Sequence, residues 1–308
     1  MKAIAINRYG GPEVLEHTEL DDPKVGPDGV LVRVRTAGVN PVDWKIREGY
    51  LDGSFPSHFP LIPGWDVAGT VEATGPAVTE FAPGDNVVGY VRKDHIQNGT
   101  YAELVTAPVR ALARAPVRGS WAEAAGLPLA GLTAQQVLQA TRLSSGEVLL
   151  VHAASGGVGS LAVQLGRIMG ARVIGTASEA NHDYLRSLGA EPVTYGAGLV
   201  ERVRDLVTGG VDVAVDFVGG DALEVTPQLM RHPGRFASVI DASRVIELGG
   251  HYVFVRPDAE HLARLVRYVD EGQLNVEVPR TLPLEQAAEA HRLNQQGHTR
   301  GKLVLDVS

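Results

Sequence analysis

The stretch Leu149-Leu150-Val151-His152-Ala153-Ala154-Ser155-Gly156-Gly157-Val158-Gly159 limits the fold of this chain more than any other. An apolar run that breaks into serine and glycine reads as a strand delivering a sharp turn. Two chemistries use such a turn. Ala153-x-Ser155-x-Gly157 is one residue away from the Gly-x-Ser-x-Gly elbow that presents a nucleophilic serine. Ala154-x-Gly156-x-x-Gly159 is one residue away from the Gly-x-Gly-x-x-Gly turn that cradles a pyrophosphate.

Context separates them. The next residues, Ser160 to Gly170, form an apolar helical run closed by glycine, and Ala171–Thr176 reads as a second strand. That is a complete βαβ opening, in which the middle glycine lets backbone approach a phosphate and the last lets helix pack on strand. The helix N-terminus then offers free N–H groups and a favourable dipole. An elbow needs a downstream acid and then a histidine. Asp216 or Asp241 with His291 supply that order, but a chain with 10 histidines offers such pairs freely. Ala154, Ser155, Gly156, Gly157, Val158 and Gly159 are therefore expected to form a dinucleotide cradle, with Ser155 shaping the turn.

The end of the second strand bears on which dinucleotide. A carboxylate there would bond a ribose 2′-hydroxyl and repel a 2′-phosphate. The strand runs into Gly175-Thr176-Ala177-Ser178-Glu179, with Ala177 at the acidic place and Ser178 and His182 able to meet a phosphate. This favours NADPH over NADH. Glu179 argues the other way, since one shift of register would make it a ribose ligand.

The chain is 308 residues long, about twice the ~150 of one domain. Residues 1–117 carry short alternating runs such as Val30–Arg35, Val67–Glu72 and Asn86–Val91, with a turn at Pro83-Gly84-Asp85. That is a β-rich domain. From Ser120 helical spacing appears, and strands then alternate with helices to about residue 240, which means a parallel sheet covered on both faces. A net charge of −8 argues against nucleic acid or an anionic membrane as partner. The chain has no cysteine, which excludes disulfides and thiolate metal sites. Without a signal-like or membrane-length apolar stretch it reads as a cytoplasmic protein.

Further motifs carry a resemblance across essentially the whole chain. These are Ala37-Gly38-Val39-Asn40-Pro41-Val42-Asp43-Trp44-Lys45-Ile46-Arg47-Glu48-Gly49, then Pro63-Gly64-Trp65-Asp66-Val67-Ala68-Gly69, then Gly131-Leu132-Thr133-Ala134, Val215-Asp216-Phe217-Val218-Gly219 and Gly297 to Leu305. In order and spacing they resemble the medium-chain dehydrogenase/reductase superfamily, in its zinc-free quinone oxidoreductase-like branch. The resemblance implies an α/β fold with a doubly wound Rossmann sheet (118–255) inserted in a β-rich GroES-like catalytic domain (1–117 and 256–308). It implies cofactor contacts from Thr133, Ser178, His182, Tyr195, Phe217, Val218 and Arg300, and a homodimer. Zinc-dependent relatives place a cysteine where Asn40 stands and Gly-His-Glu where Gly64-Trp65-Asp66 stands, so no zinc is expected.

The chemistry so implied is conjugate reduction, hydride passing from NADPH to a quinone, enone or enoyl ester. Negative charge develops on the carbonyl oxygen and needs donors. Asn40, Lys45 and Tyr50 are the catalytic candidates, and Asn40, Trp65, Tyr90, His95 and Phe254 the pocket candidates. Plainer roles stand beside these. Asn40-Pro41 starts a turn, Asp43 and Arg47 sit at i,i+4 spacing for an ion pair, and Trp65 fits a core. His95 falls in the polar run 92–99, expected as a surface loop, and Tyr252 and Phe254 suit an edge strand. An enoyl-thioester reductase, or a dinucleotide-binding protein with a non-redox cyclase or regulatory role, remains open as an alternative.

Overall fold

A computed structural model of the protein describes residues 1–308. It divides into two compact units, Met1–Leu132 with Arg256–Ser308, and Thr133–Val255. The expected boundary at residue 118 moves to Leu132. Helices α1 (Pro41–Arg47) and α2 (Trp121–Gly126) precede α3 (Pro128–Ala140). Residues 118–132 stay with the first unit because α2 packs on its sheet. A Cβ on Gly38 would lie 2.5 Å from the Ala125 carbonyl oxygen, so only glycine lets α2 settle there. Ser120 and Glu123 cap α2 reciprocally through Glu123 N–H to Ser120 Oγ (3.2 Å) and Ser120 N–H to Glu123 Oε2 (2.6 Å).

The first unit is built on a seven-stranded sheet whose spine is Gly29–Val39. Its N-terminal half alternates as the sequence suggests, burying Val30, Val32 and Val34. Its C-terminal half is buried on both faces. The spine pairs antiparallel with Asp66–Thr74 and with Leu303–Asp306, placing Gly38 opposite Asp66 and Val39 opposite Leu303. The register therefore brings Asn40, Asp66 and Lys302 to one end of three neighbouring strands. The run 92–99, expected as a loop, contains the strand Ile96–Asn98, which pairs with Ser57–Ile62.

The second unit is a six-stranded parallel sheet. Its order is Glu191–Thr194, Arg172–Ala177, Val148–Val151, Val213–Asp216, Phe236–Ser238, His251–Tyr252. In chain order this is 3-2-1-4-5-6, the doubly wound arrangement whose crevice opens beside the first strand. Leu150, Ile174, Val193, Ala214 and Phe236 form its core with helix residues such as Leu223 and Val203. The edge strand expected around Tyr252 is only His251–Tyr252 long, and Phe254 lies past it, 45% exposed. The helix that follows Arg172–Ala177 begins as a 3₁₀ turn, Glu179–Asn181, before His182–Ser187. No helix is long and apolar enough to cross a membrane.

Candidate active site

In the second unit, Val148–Val151 ends in a turn that leads into α4 (Gly157–Ile168). Ala153 takes the left-handed conformation, φ 54°, which costs a non-glycine residue about 1 kcal/mol or more. The turn is held by Thr176, whose hydroxyl accepts the Ala153 N–H at 3.1 Å and whose carbonyl accepts the Ala154 N–H at 2.9 Å. Ser155 forms no side-chain hydrogen bond, so the shaping role expected of it belongs to Thr176. The methyl of Ala154 is accommodated because its neighbour is Gly175, where a Cβ would stand 2.8 Å from it. That explains how alanine fills the first glycine position.

A Cβ on Gly159 would fall 2.2 Å from the Ala153 carbonyl oxygen, whereas one on Gly156 would meet only that oxygen at 3.3 Å. Gly159 is thus required for packing, and Gly156 is the less constrained of the two, on the face that a phosphate would occupy. Gly156 is the N-cap of α4 and no side chain caps the helix, so the first-turn N–H groups are free for an anion. Nothing supports the nucleophile alternative. His152, the histidine nearest in sequence, is fully buried with Nε2 3.0 Å from Thr226 Oγ1. Burial pulls it down to about 4.

The strand Arg172–Ala177 ends without a carboxylate: Ala177 is buried, and Glu179 is exposed on the 3₁₀ turn. Ser178 accepts from Asn181 Nδ2 at 3.3 Å, and His182 Nε2 lies 3.4 Å from Thr194 Oγ1. Pairing of Ala177 with Thr194 sets Ser178, His182 and the exposed Tyr195 at adjacent strand ends. Phe217 and Val218 occupy the loop after Val213–Asp216, which Asp216 ties down by accepting from Val218 N–H (3.1 Å) and Gly219 N–H (2.9 Å). Thr133 is buried in α3. Arg300 belongs to the first unit, where Nη2 pairs with Glu277 Oε1 at 2.7 Å.

In the first unit the ammonium of Lys302, 5% exposed, donates to the Val39 carbonyl (3.1 Å) and to Asn40 Oδ1, and lies 3.8 Å from Asp66 Oδ2. Asn40 Nδ2 donates to Asp66 Oδ2 at 2.9 Å, and Asp66 Oδ1 accepts the Leu129 N–H at 2.8 Å. The oxygen and one of the two N–H groups of the Asn40 amide are thus committed within the protein. Asn40 also caps α1, its N–H donating to Asp43 Oδ2 at 2.8 Å. Asp43 accepts from Tyr101 there too (3.1 Å), while its other oxygen has no partner. Burial pushes Asp43 up to about 7 and Asp66 up to about 6, the latter restrained by Lys302.

The Asp43–Arg47 pair does not form. Arg47 is turned away to Glu48, to the Gly10 carbonyl (3.0 Å) and to His291 Nδ1 (3.2 Å). Lys45 and Tyr50 do not join the cluster around Asn40. Lys45 Nζ lies 5.6 Å from the Trp44 ring centroid, and Tyr50, 71% exposed, packs edge-on to the same ring.

Trp65 and His95 come together on the wall of a separate, small recess, with Ile62, Val91, Lys93 and Asn98 beside them. Trp65 is buried and stacks edge-on with Tyr90 at 6.0 Å, so it serves both core and wall. Tyr90 is fully buried behind it. Phe254 belongs to the second unit and does not line this recess. Lys302 and Lys93 escaped sequence reasoning. Lys302 lay within a quoted motif, but only the strand register reveals its partners.

The donor set does not suit zinc. No three His, Asp or Glu side chains gather in a way that could hold a metal ion, and a protein ammonium already stands among Asn40, Asp66 and the Val39 carbonyl. Comparison with known proteins agrees with the fold. A family model described as an alcohol dehydrogenase GroES-like domain matches residues 26–117, and one described as a zinc-binding dehydrogenase matches 188–305. The chain is 32% identical to a chloroplast envelope quinone oxidoreductase homolog of Arabidopsis thaliana, covering 99% of this chain and 98% of the other. It is 33% identical to an NADPH-dependent alkenal/one oxidoreductase of the same plant, covering 99% and 79%. The solved quinone oxidoreductase of Coxiella burnetii superposes with a TM-score of 0.89 at 34% identity, covering 100% and 99%. With the sheet order, the cradle and these relatives in agreement, the chain belongs to the medium-chain dehydrogenase/reductase superfamily, among its quinone oxidoreductase-like members.

Proposed function

We propose that this enzyme is an NADPH-dependent, metal-independent reductase of quinones and α,β-unsaturated carbonyls. The observation that carries the reading is the Gly156–Gly159 cradle at the sheet's switch point, beside a second strand that ends in Ala177 instead of an acid. The names of the relatives, a quinone oxidoreductase homolog and an NADPH-dependent alkenal/one oxidoreductase, support the substrate class.

When bound, NADPH supplies the hydride. The first-turn N–H groups of α4 would hold its pyrophosphate, and Ser178 and His182 would meet its 2′-phosphate. Asn40 spends one of its two amide N–H groups on Asp66; the second is the donor the reading assigns to the substrate carbonyl oxygen. Lys302 fixes that amide by claiming its oxygen.

The test is NADPH oxidation by a quinone and an enone after exhaustive chelation. Unchanged turnover supports metal independence. Loss on chelation with recovery on adding zinc overturns it.

A further inference from the structure

We propose that Asp66 is a positioning residue for enone reduction: its carboxylate, set against the Lys302 ammonium, decides which end of the Asn40 amide faces the substrate. The proposal rests on the reading above, in which the free Asn40 N–H meets the carbonyl oxygen.

The oxygen and the NH2 of an amide are alike in size and shape, so packing does not tell them apart; hydrogen-bond partners do. Asn40 stands between two partners of opposite charge. An ionised Asp66 can only accept, and its Oδ2 takes the Nδ2–H at 2.9 Å. The Lys302 ammonium can only donate, and it gives to Oδ1. A turned amide would set its oxygen against the carboxylate and its NH2 against the ammonium. Two repulsive contacts would then replace two charge-assisted bonds. All three side chains are buried, where salt and water screen little.

The fold holds both partners still. Gly38 lies opposite Asp66 in the sheet. A Cβ there would come within 2.9 Å of the Asp66 Cβ and 3.1 Å of Oδ2, so glycine leaves the carboxylate its seat. Asp66 Oδ1 is tied to the Leu129 N–H at 2.8 Å, and Lys302 Nζ to the Val39 carbonyl at 3.1 Å. The backbone of Asn40 is fixed in turn by its N–H to Asp43 Oδ2 at 2.8 Å. One Nδ2–H is left over, and the amide that carries it has a single orientation. A donor so preorganised needs no turning as charge develops on the carbonyl oxygen.

The experiment removes the charges and keeps the shapes. Lys302→Met/Asp66→Asn is the main variant, with Lys302→Gln/Asp66→Asn as a second neutral pair that packs differently. A neutral amide at position 66 offers oxygen or N–H alike, so nothing then dictates the direction of Asn40. These are compared with the parent, with Asn40→Ala, and with Asn40→Ala added to the main variant. An enone's kcat and KM are read at about pH 8, where Asp66 is ionised in the parent. NADPH affinity by fluorescence and thermal melts on the same samples report the folded protein.

Asn40→Ala should lower kcat by about 10²-fold. The neutral pairs should lower it by about tenfold with KM and NADPH affinity kept, as when an interaction of the transition state alone is lost. The combined variant should be no slower than Asn40→Ala, because Asp66 acts only through that amide. A folded neutral pair at the parental kcat overturns Asp66 as a positioning residue, as do losses that multiply in the combined variant. Asn40→Ala at the parental kcat overturns the reading of Asn40, and the role of Asp66 with it.

Discussion

The Lys302 ammonium and the Asp66 carboxylate lie 3.8 Å apart, both buried, joined through the side chain of Asn40. Each is unaffordable alone in that setting, because an uncompensated buried charge costs several kcal/mol. Lys302→Met should therefore destabilise the protein by about 3–5 kcal/mol. Adding Asp66→Asn should recover much of the loss, since the partner left behind is then neutral. Urea unfolding of the two single variants and the double variant checks this. Equal losses that simply add would show that the pair is not coupled.

Gly156 and Gly159 separate binding from folding. Gly159→Ala forces a Cβ to 2.2 Å from the Ala153 carbonyl oxygen, so it should lower stability by about 1–3 kcal/mol. Gly156→Val meets only that oxygen, at 3.3 Å, and should cost less stability than Gly159→Ala while NADPH affinity drops more than about tenfold, or 1.4 kcal/mol. Thermal melts and NADPH fluorescence titrations on both variants distinguish the two roles.

Much of this was legible in the residues. The Val148–Val151 strand, α4 and the alternation that follows betray themselves by period and by glycine placement. The cluster around Asn40 was half legible. Asn40 and Asp66 sit in motifs, but Lys302 lies 262 residues from Asn40, and only sheet register joins them. Thr176 was missed because it holds the cradle turn from a neighbouring strand. The boundary near 118 misled because helical spacing begins there, although α2 packs back on the first sheet.

Cofactor preference should answer to one substitution. Ser178→Asp places a carboxylate just past Ala177, where the strand Arg172–Ala177 now has none. Repulsion of a 2′-phosphate and a bond to a 2′-hydroxyl should move the kcat/KM ratio of NADPH to NADH toward NADH by about tenfold or more, 1.4 kcal/mol. Initial rates with both cofactors measure it. An unchanged ratio would remove Ser178 from phosphate recognition.

Acid should unfold this protein partly through its buried histidines. His291 accepts from Arg47 at Nδ1 and lies 3.3 Å from the Tyr101 hydroxyl at Nε2; burial first, then Arg47, pulls it down to about 3. Between that value and the ordinary ~6.5 the unfolded chain binds the extra proton, so stability falls as pH drops from about 6.5. Asp43 and Asp66, raised to about 7 and 6, work in the opposite sense over pH 4–7. His291→Gln should therefore reduce the stability lost between pH 6.5 and 5 by about 2 kcal/mol. Denaturant curves at the two pH values give the difference, and identical losses in parent and variant would clear His291 of the role.

Hydride delivery to carbon conjugated with a carbonyl can be followed by deuterium tracing. NADPH carrying deuterium at C4 is incubated with the protein and an enone, and the product is read by NMR. The expected product is a saturated ketone with deuterium on the β-carbon. Deuterium on the carbonyl carbon of an allylic alcohol would contradict it, as would bound NADPH that is never oxidised.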